Sequence, residues 1–212
     1  RDVFDVHPSP VDRAATVVAA AAGAALALAA GWRWRSASRS AIAPASAGID
    51  CVVVERQSRE YVLNRIRAGV LEWGSVQVLR DAGVSENMDR NGTPHRGATV
   101  AWADKDLYLD ITARTGRGFM AYGQSALQHD LYAARDAMGG VIIDEADDVE
   151  LHDLTTARPW LTYRKGGVEH RIDADFVVGS DGYHGVARRS IPAGHVRTFE
   201  KVYPFGWLGI LS

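Results

Sequence analysis

The sequence predicts an α/β domain: a parallel sheet flanked by helices, a small antiparallel meander attached to it, and no recognisable first strand. Three observations predict this. Residues 49–54 and 176–179 are short apolar runs rich in β-branched side chains, the pattern of strands buried on both faces. Each run delivers an acid at its carboxyl end, Glu55 after the first and Asp181 in Ser180-Asp181-Gly182 after the second. Between them, residues 149–154, 160–164 and 168–172 alternate apolar with charged positions, as antiparallel strands with one wet face do.

Glu55 carries the first chemical expectation. A carboxylate at the end of a buried parallel strand is where doubly wound folds hold the ribose of an adenine dinucleotide, one oxygen for each sugar hydroxyl. Arg56 follows, and then Arg65 and Arg67 with Ala68-Gly69 behind them. Their planar, permanently charged forks suit phosphate oxygens. Asp181 can accept from a sugar-alcohol hydroxyl of the same ligand, and Gly182 lets backbone approach closely. His184 and Arg188 stand four apart, so a helical turn gives them one face.

The intervening elements follow in order. Leu71, Val78, Leu79 and Ala82 recur at helical spacing over residues 70–82, with Gly83 as the stop. Residues 97–111 read as two strands turning at Asp104-Lys105, with Leu107, Leu109 and Ile111 facing inward. Ser125 and Gln128 form a capping box for a helix whose stripe is Leu127, Leu131, Ala134 and Met138, closed by Gly139-Gly140. Gln124 stands at its start. Residues 141–143 make one more short buried strand, and the turns of the meander fall at 155–159 and 165–167.

Composition excludes several classes. Lys+Arg number 24 against 26 Asp+Glu, so a nucleic-acid partner is not expected. The single cysteine, Cys51, lies inside a strand, which excludes a disulfide framework and a cysteine zinc site and fits a reducing compartment. No metal site is expected. The chain opens on Arg1, as one starting inside a longer reading frame would.

Residues 1–47 depart from this pattern. Residues 14–32 are uncharged and mostly alanine beyond Arg13, and a basic run follows. A membrane span fits by length but is thin in lipophilic residues. A signal peptide is suggested by Ala45-Ser46-Ala47, yet the leading residues mix acids with bases. A glycine-rich phosphate loop belongs roughly 20 residues before the ribose acid. Counting back from Glu55 reaches residues 30–36, AGWRWRS, without the spacing G-x-G-x-x-G. The segment reads either as coding sequence in a wrong frame or as an alanine-rich extension, helical or disordered. Residues 14–32 are expected as a helix outside the sheet, leaving the slot beside residues 49–54 empty.

VVVERQSREYVLNRIRAGVLEWGSVQVLRDAGV, AYGQSALQHDL at 121–131, VVGSDGYHGVARRSIP at 177–192 and VYPFGWLGIL at 202–211 together resemble the FAD-dependent aromatic hydroxylases, in particular those acting on 4-hydroxybenzoate. The resemblance covers residues 48–212. It implies an incomplete FAD-binding Rossmann-like domain of the glutathione-reductase type, its first strand and phosphate loop expected to be missing. Residues 1–47 would lie outside the pattern, 48–200 would form a partial FAD- and NADPH-binding domain, and 201–212 would open a truncated substrate domain. Its cofactors would be FAD and NADPH. FAD would meet Glu55, Arg65, Arg67, Gln124, Asp181 and Gly182. His184 and Arg188 would contact the pyridine nucleotide, and Trp207 would lie near the flavin. The activity implied is hydroxylation of 4-hydroxybenzoate ortho to the phenol, in a cytoplasmic homodimer serving aromatic compound catabolism. The fragment itself is expected to be inactive, and no catalytic residue is assigned. Two alternatives stay open: another FAD-dependent aromatic hydroxylase, or a non-enzymatic, membrane-tethered nucleotide-binding remnant.

Overall fold

The computed structural model describes residues 16–20, 50–65, 69–206 and 208. Its central element is a four-stranded parallel sheet in the order β12-β1-β2-β8, from β1 (Thr16–Ala20), β2 (Cys51–Glu55), β8 (Val141–Ile143) and β12 (Phe176–Gly179). The valine run makes β2 a strand because branched side chains suit a pleat covered on both faces. Val53 and Val54 are almost fully buried.

The first strand is therefore present, and the expected empty slot is filled. Thr16 pairs with Cys51 on one side and Phe176 on the other, and Ala20 pairs with Glu55. Thr16, Val17 and Val18 are β-branched, and a ladder on each side satisfies their backbone N–H and C=O groups. These three residues, not the alanines after them, decide the local structure. The expectation of a helix over residues 14–32 is overturned at Thr16–Ala20. The expected absence of a phosphate loop falls on residues 21–49, which, like residues 1–15, lie outside the described residues.

Three smaller sheets complete the architecture. β9 (Asp147–His152), β10 (Trp160–Lys165) and β11 (Val168–Asp173) form the antiparallel meander, as its alternation predicts. β3 (Val70–Glu72), β7 (Phe119–Ala121) and β4 (Thr93–His95) form a second sheet, and β5 (Gly97–Trp102) with β6 (Lys105–Asp110) a hairpin. One hydrophobic cluster joins Val62, Leu71, Val76, Leu79, Met88 and Leu127 from the helices and β3. Another sets Leu161, Tyr163 and Ala174 of the meander region against Val54.

Several local expectations shift. The helix of residues 70–82 begins only at Trp73, because Val70–Glu72 pairs with β7. It ends as Gly83 takes φ 71°. The hairpin turns at Ala103-Asp104, since Lys105 already pairs with Trp102. Leu107 is exposed there, because none of the described residues layers over that face of the two-stranded hairpin, and Ile111 opens a helix instead of extending the strand. Val141 and Phe176, at the outer strands, are also exposed. The helix Gln124–Ala137 starts after Gly123 with no side-chain cap, so the Ser125–Gln128 box does not form. Ser125 Oγ turns to the Arg65 carbonyl instead. Met138, expected on the buried stripe, is exposed as the C-cap. Residues 202–206 and 208 form no strand.

Candidate functional site

The parallel register gathers the two acids at one end of the sheet. β1 lies between β2 and β12, with Ala20 beside Glu55 and Ala19 beside Gly179. Glu55 and the Ser180-Asp181 corner thus flank the carboxyl end of β1, separated by two strand spacings, roughly 10 Å. Both acids are buried, Glu55 at 3% and Asp181 at 8% exposure.

Glu55 is held by the turn that leaves its strand. Its Oε1 accepts the Gln57 N–H at 2.9 Å, and its carbonyl accepts the Ala146 N–H at 3.0 Å. Ser58 then caps the helix Arg59–Asn64 by accepting from the Tyr61 N–H at 3.2 Å. Arg59 fastens that helix across to the strand ends. It donates to both oxygens of Asp136 at 2.8 and 3.0 Å, and its Nε lies 3.7 Å from Asp144. Its guanidinium also sits 4.5 Å from the Tyr132 ring centre. Asp144 follows β8, next to Glu55 in register, and accepts from the Tyr132 hydroxyl at 2.9 Å. Burial raises both groups above their ordinary pKa values, Asp144 and Tyr132 alike.

Arg65 ends its helix exposed, with its guanidinium 5.7 Å from the Tyr61 ring centre. Its carbonyl accepts from Ser125 at 3.5 Å, which brings it to the start of the helix that Gln124 opens. Gly69 makes a second tie, since its carbonyl accepts the Tyr122 N–H at 2.6 Å. A Cβ at Gly69 would stand 2.5 Å from the Tyr122 carbonyl oxygen, so only glycine allows this approach. Arg65 and Gln124 are thereby assembled; Arg67 lies outside the described residues, as does Trp207.

At the second acid, Asp181 Oδ2 accepts the Ala187 N–H at 2.7 Å and so anchors the short helix Val186–Arg189. Gly182 takes φ 76°, a left-handed conformation that glycine adopts freely. A Cβ on Gly185 would fall 1.9 Å from Asp181 Cγ. Gly185→Ala is accordingly expected to displace the carboxylate and to cost ~1–3 kcal/mol of stability, the range of an overpacked buried site. Urea unfolding of the variant measures it.

His184 and Arg188 are not paired with each other. Arg188 lies 4.4 Å from the Tyr183 ring centre and donates to Thr198 Oγ1 at 3.1 Å. His184 stands edge-on to the same tyrosine, because it precedes the helix rather than lying on it. Sequence reasoning passed over Tyr183, although an aromatic ring five residues before an arginine is a usable signal. It also passed over Arg59, Tyr132 and Asp144, whose meeting depends on the tertiary fold. Among the described residues no cluster of His, Cys, Asp and Glu forms a metal site, and no helix is long and apolar enough to cross a membrane.

The sequence model of the family described as "FAD binding domain" matches residues 40–212. The p-hydroxybenzoate hydroxylase of Acinetobacter baylyi is 44% identical over 167 residues, a match that spans 78% of this chain and 41% of that protein. Among solved structures, 2-methyl-3-hydroxypyridine-5-carboxylic acid oxygenase superposes with a TM-score of 0.63 at 22% identity, covering 85% of this chain and 43% of its own. A p-nitrophenol 4-monooxygenase from Pseudomonas putida superposes at 0.61 with 13% identity, covering 82% of this chain and 42% of its own. Both structures share the fold.

Proposed function

Because the chain belongs to the FAD binding domain family, we propose that it supplies the dinucleotide-binding part of an FAD- and NADPH-dependent aromatic hydroxylase acting on 4-hydroxybenzoate. The observation that carries this reading is the register that sets Glu55 and Asp181 on either side of Ala20 at the carboxyl ends of parallel strands. The chain spans about two fifths of the length of the hydroxylase it matches, and the 44% identity favours 4-hydroxybenzoate over other aromatic substrates.

The residues fit the group. Glu55 offers a buried carboxylate to the paired ribose hydroxyls, while Asp181 offers its second oxygen to the ribityl chain. Arg65 and Arg67 supply positive charge for the pyrophosphate, and Gln124 a polar group at a helix start. Arg188 and His184, which follow Asp181 in the chain, are the candidates for NADPH. Bound flavin, reduced by NADPH, would supply the oxygen activation that places a hydroxyl ortho to the phenol. The protein's part is to bind, orient and exclude water. The substrate-holding half of such an enzyme would bring the phenol to the ring, and a homodimer in the cytoplasm suits that assignment.

The test is a titration of the purified chain with FAD, followed by quenching of flavin fluorescence. Saturable binding is expected, but not stoichiometric flavin after gel filtration. Residues 1–47 carry Gly23 and Gly31 as their only glycines, so the close approach of backbone to pyrophosphate that a G-x-G-x-x-G loop allows is not encoded there. Absence of saturable binding would overturn the function. Joined to the remaining length of the Acinetobacter hydroxylase, the chain is expected to support NADPH oxidation stimulated by 4-hydroxybenzoate. Stimulation by a different phenol instead would move the substrate assignment.

A further inference from the structure

We propose that Tyr122, clamped by Asp130 and Asn87, is a positioning residue that sets Gln124 and Arg65 for the flavin; the proposal rests on the FAD reading above. Tyr122 is 5% exposed and lies two residues before Gln124. Its hydroxyl donates to Asp130 Oδ2 at 2.6 Å and accepts from Asn87 Nδ2 at 2.7 Å. Asn87 Nδ2 also donates to Asp130 Oδ1 at 2.9 Å, closing a three-membered ring of side chains. Each member comes from a different element: Asn87 from the helix Glu86–Asn91, Asp130 from the helix Gln124–Ala137, and Tyr122 from the link after β7.

The same residue controls the arginine side through its backbone. Its N–H is the donor to Gly69, and its carbonyl is the surface against which Gly69 packs. A phenol fixed at its hydroxyl cannot rotate or slide without moving that backbone. The Tyr122–Gly123 link therefore has one position, and with it the start of the Gln124 helix and the Ser125 bond to Arg65. Gly123, the residue before the helix, supplies no side-chain cap, so the neighbouring clamp at Tyr122 fixes the entry angle instead. Burial and the Asp130 carboxylate push the phenol well above its ordinary pKa, so it keeps its proton and remains a donor.

Tyr122→Phe in the whole chain tests this, because it keeps the ring and deletes only the hydroxyl. FAD affinity is expected to fall about tenfold, the scale of one charge-assisted hydrogen bond. The double variant Tyr122→Phe with Gln124→Ala is expected to bind no more weakly than Gln124→Ala alone, as a residue acting through Gln124 requires. Asp130→Asn, which keeps an acceptor oxygen, should lose less than Tyr122→Phe. Hydrogen exchange gives a readout independent of ligand: the amide at position 122 should exchange about tenfold faster, with the amides of Val53, Val54 and Leu161 unchanged. Full additivity in the double variant, or unchanged exchange at position 122, would overturn the proposal. If the unsubstituted chain fails to bind FAD, the flavin reading falls, while exchange still decides whether the clamp fixes the link.

Discussion

Glu55→Ala is expected to weaken FAD binding by ~1.5–3 kcal/mol, about 10- to 150-fold, the worth of a hydrogen bond to a charged group in a buried setting. Glu55 is 3% exposed at the end of β2, so a sugar hydroxyl bonded to its carboxylate sits in a low local dielectric with little competing water. The substitution leaves the sheet in place, since the strand pairs through its backbone and the Glu55 carbonyl keeps its bond from Ala146. The Gln57 N–H loses its acceptor, in a half-buried turn beside the exposed Arg56. Glu55→Gln should fall between the two, because the amide retains one acceptor but loses the charge and one sugar contact. Fluorescence titration of the three proteins orders them. Equal affinity across all three would remove Glu55 from the site.

Leu161→Ala should cost ~2–5 kcal/mol of folding stability, the range for truncating a fully buried leucine. Leu161 has no exposed surface and sits on β10, the central strand of the meander. Its cluster includes Val54, with Val52 and Val177 packed against it, so it contacts both strands that end in the acids. The cavity would therefore loosen the meander and the sheet together. A fall in the urea midpoint measures the loss, and flavin affinity should decline with it. Val168→Ala, on the exposed edge of the same meander, should stay within ~0.5 kcal/mol of the parent. If the two variants unfold alike, the meander is not part of the cooperative unit.

The strand ends carrying both acids were legible because a run of branched residues ending in Glu or Asp-Gly is a local pattern; the expected burial on two faces holds for β2 but not for β12, an outer strand with Phe176 exposed. Thr16–Ala20 was not legible. Three β-branched residues at the head of an alanine run resemble a helix until two partner strands are available to pair with them. The Ser125–Gln128 cap failed for a related reason: the helix began two residues earlier, and Ser125 found a partner on another segment. Leu107 was read inward from alternation alone, which tells the faces of a strand apart but not which face is covered. Arg59, Asp136 and Asp144 escaped entirely, since nothing in their spacing announces that they meet.

The strand order also dictates when the sheet can be completed during synthesis. β1 gains its first neighbour from Cys51–Glu55 but its second only from Phe176–Gly179, near the far end of the chain. Translation at about 5–20 residues per second leaves Thr16–Ala20 with one unpaired edge for several seconds, far longer than a hairpin such as β5–β6 needs to close. An open edge of backbone donors and acceptors is a template for any other strand. The hazard of mispairing thus falls on the nascent chain, and slowing elongation ahead of residue 176 would lengthen it.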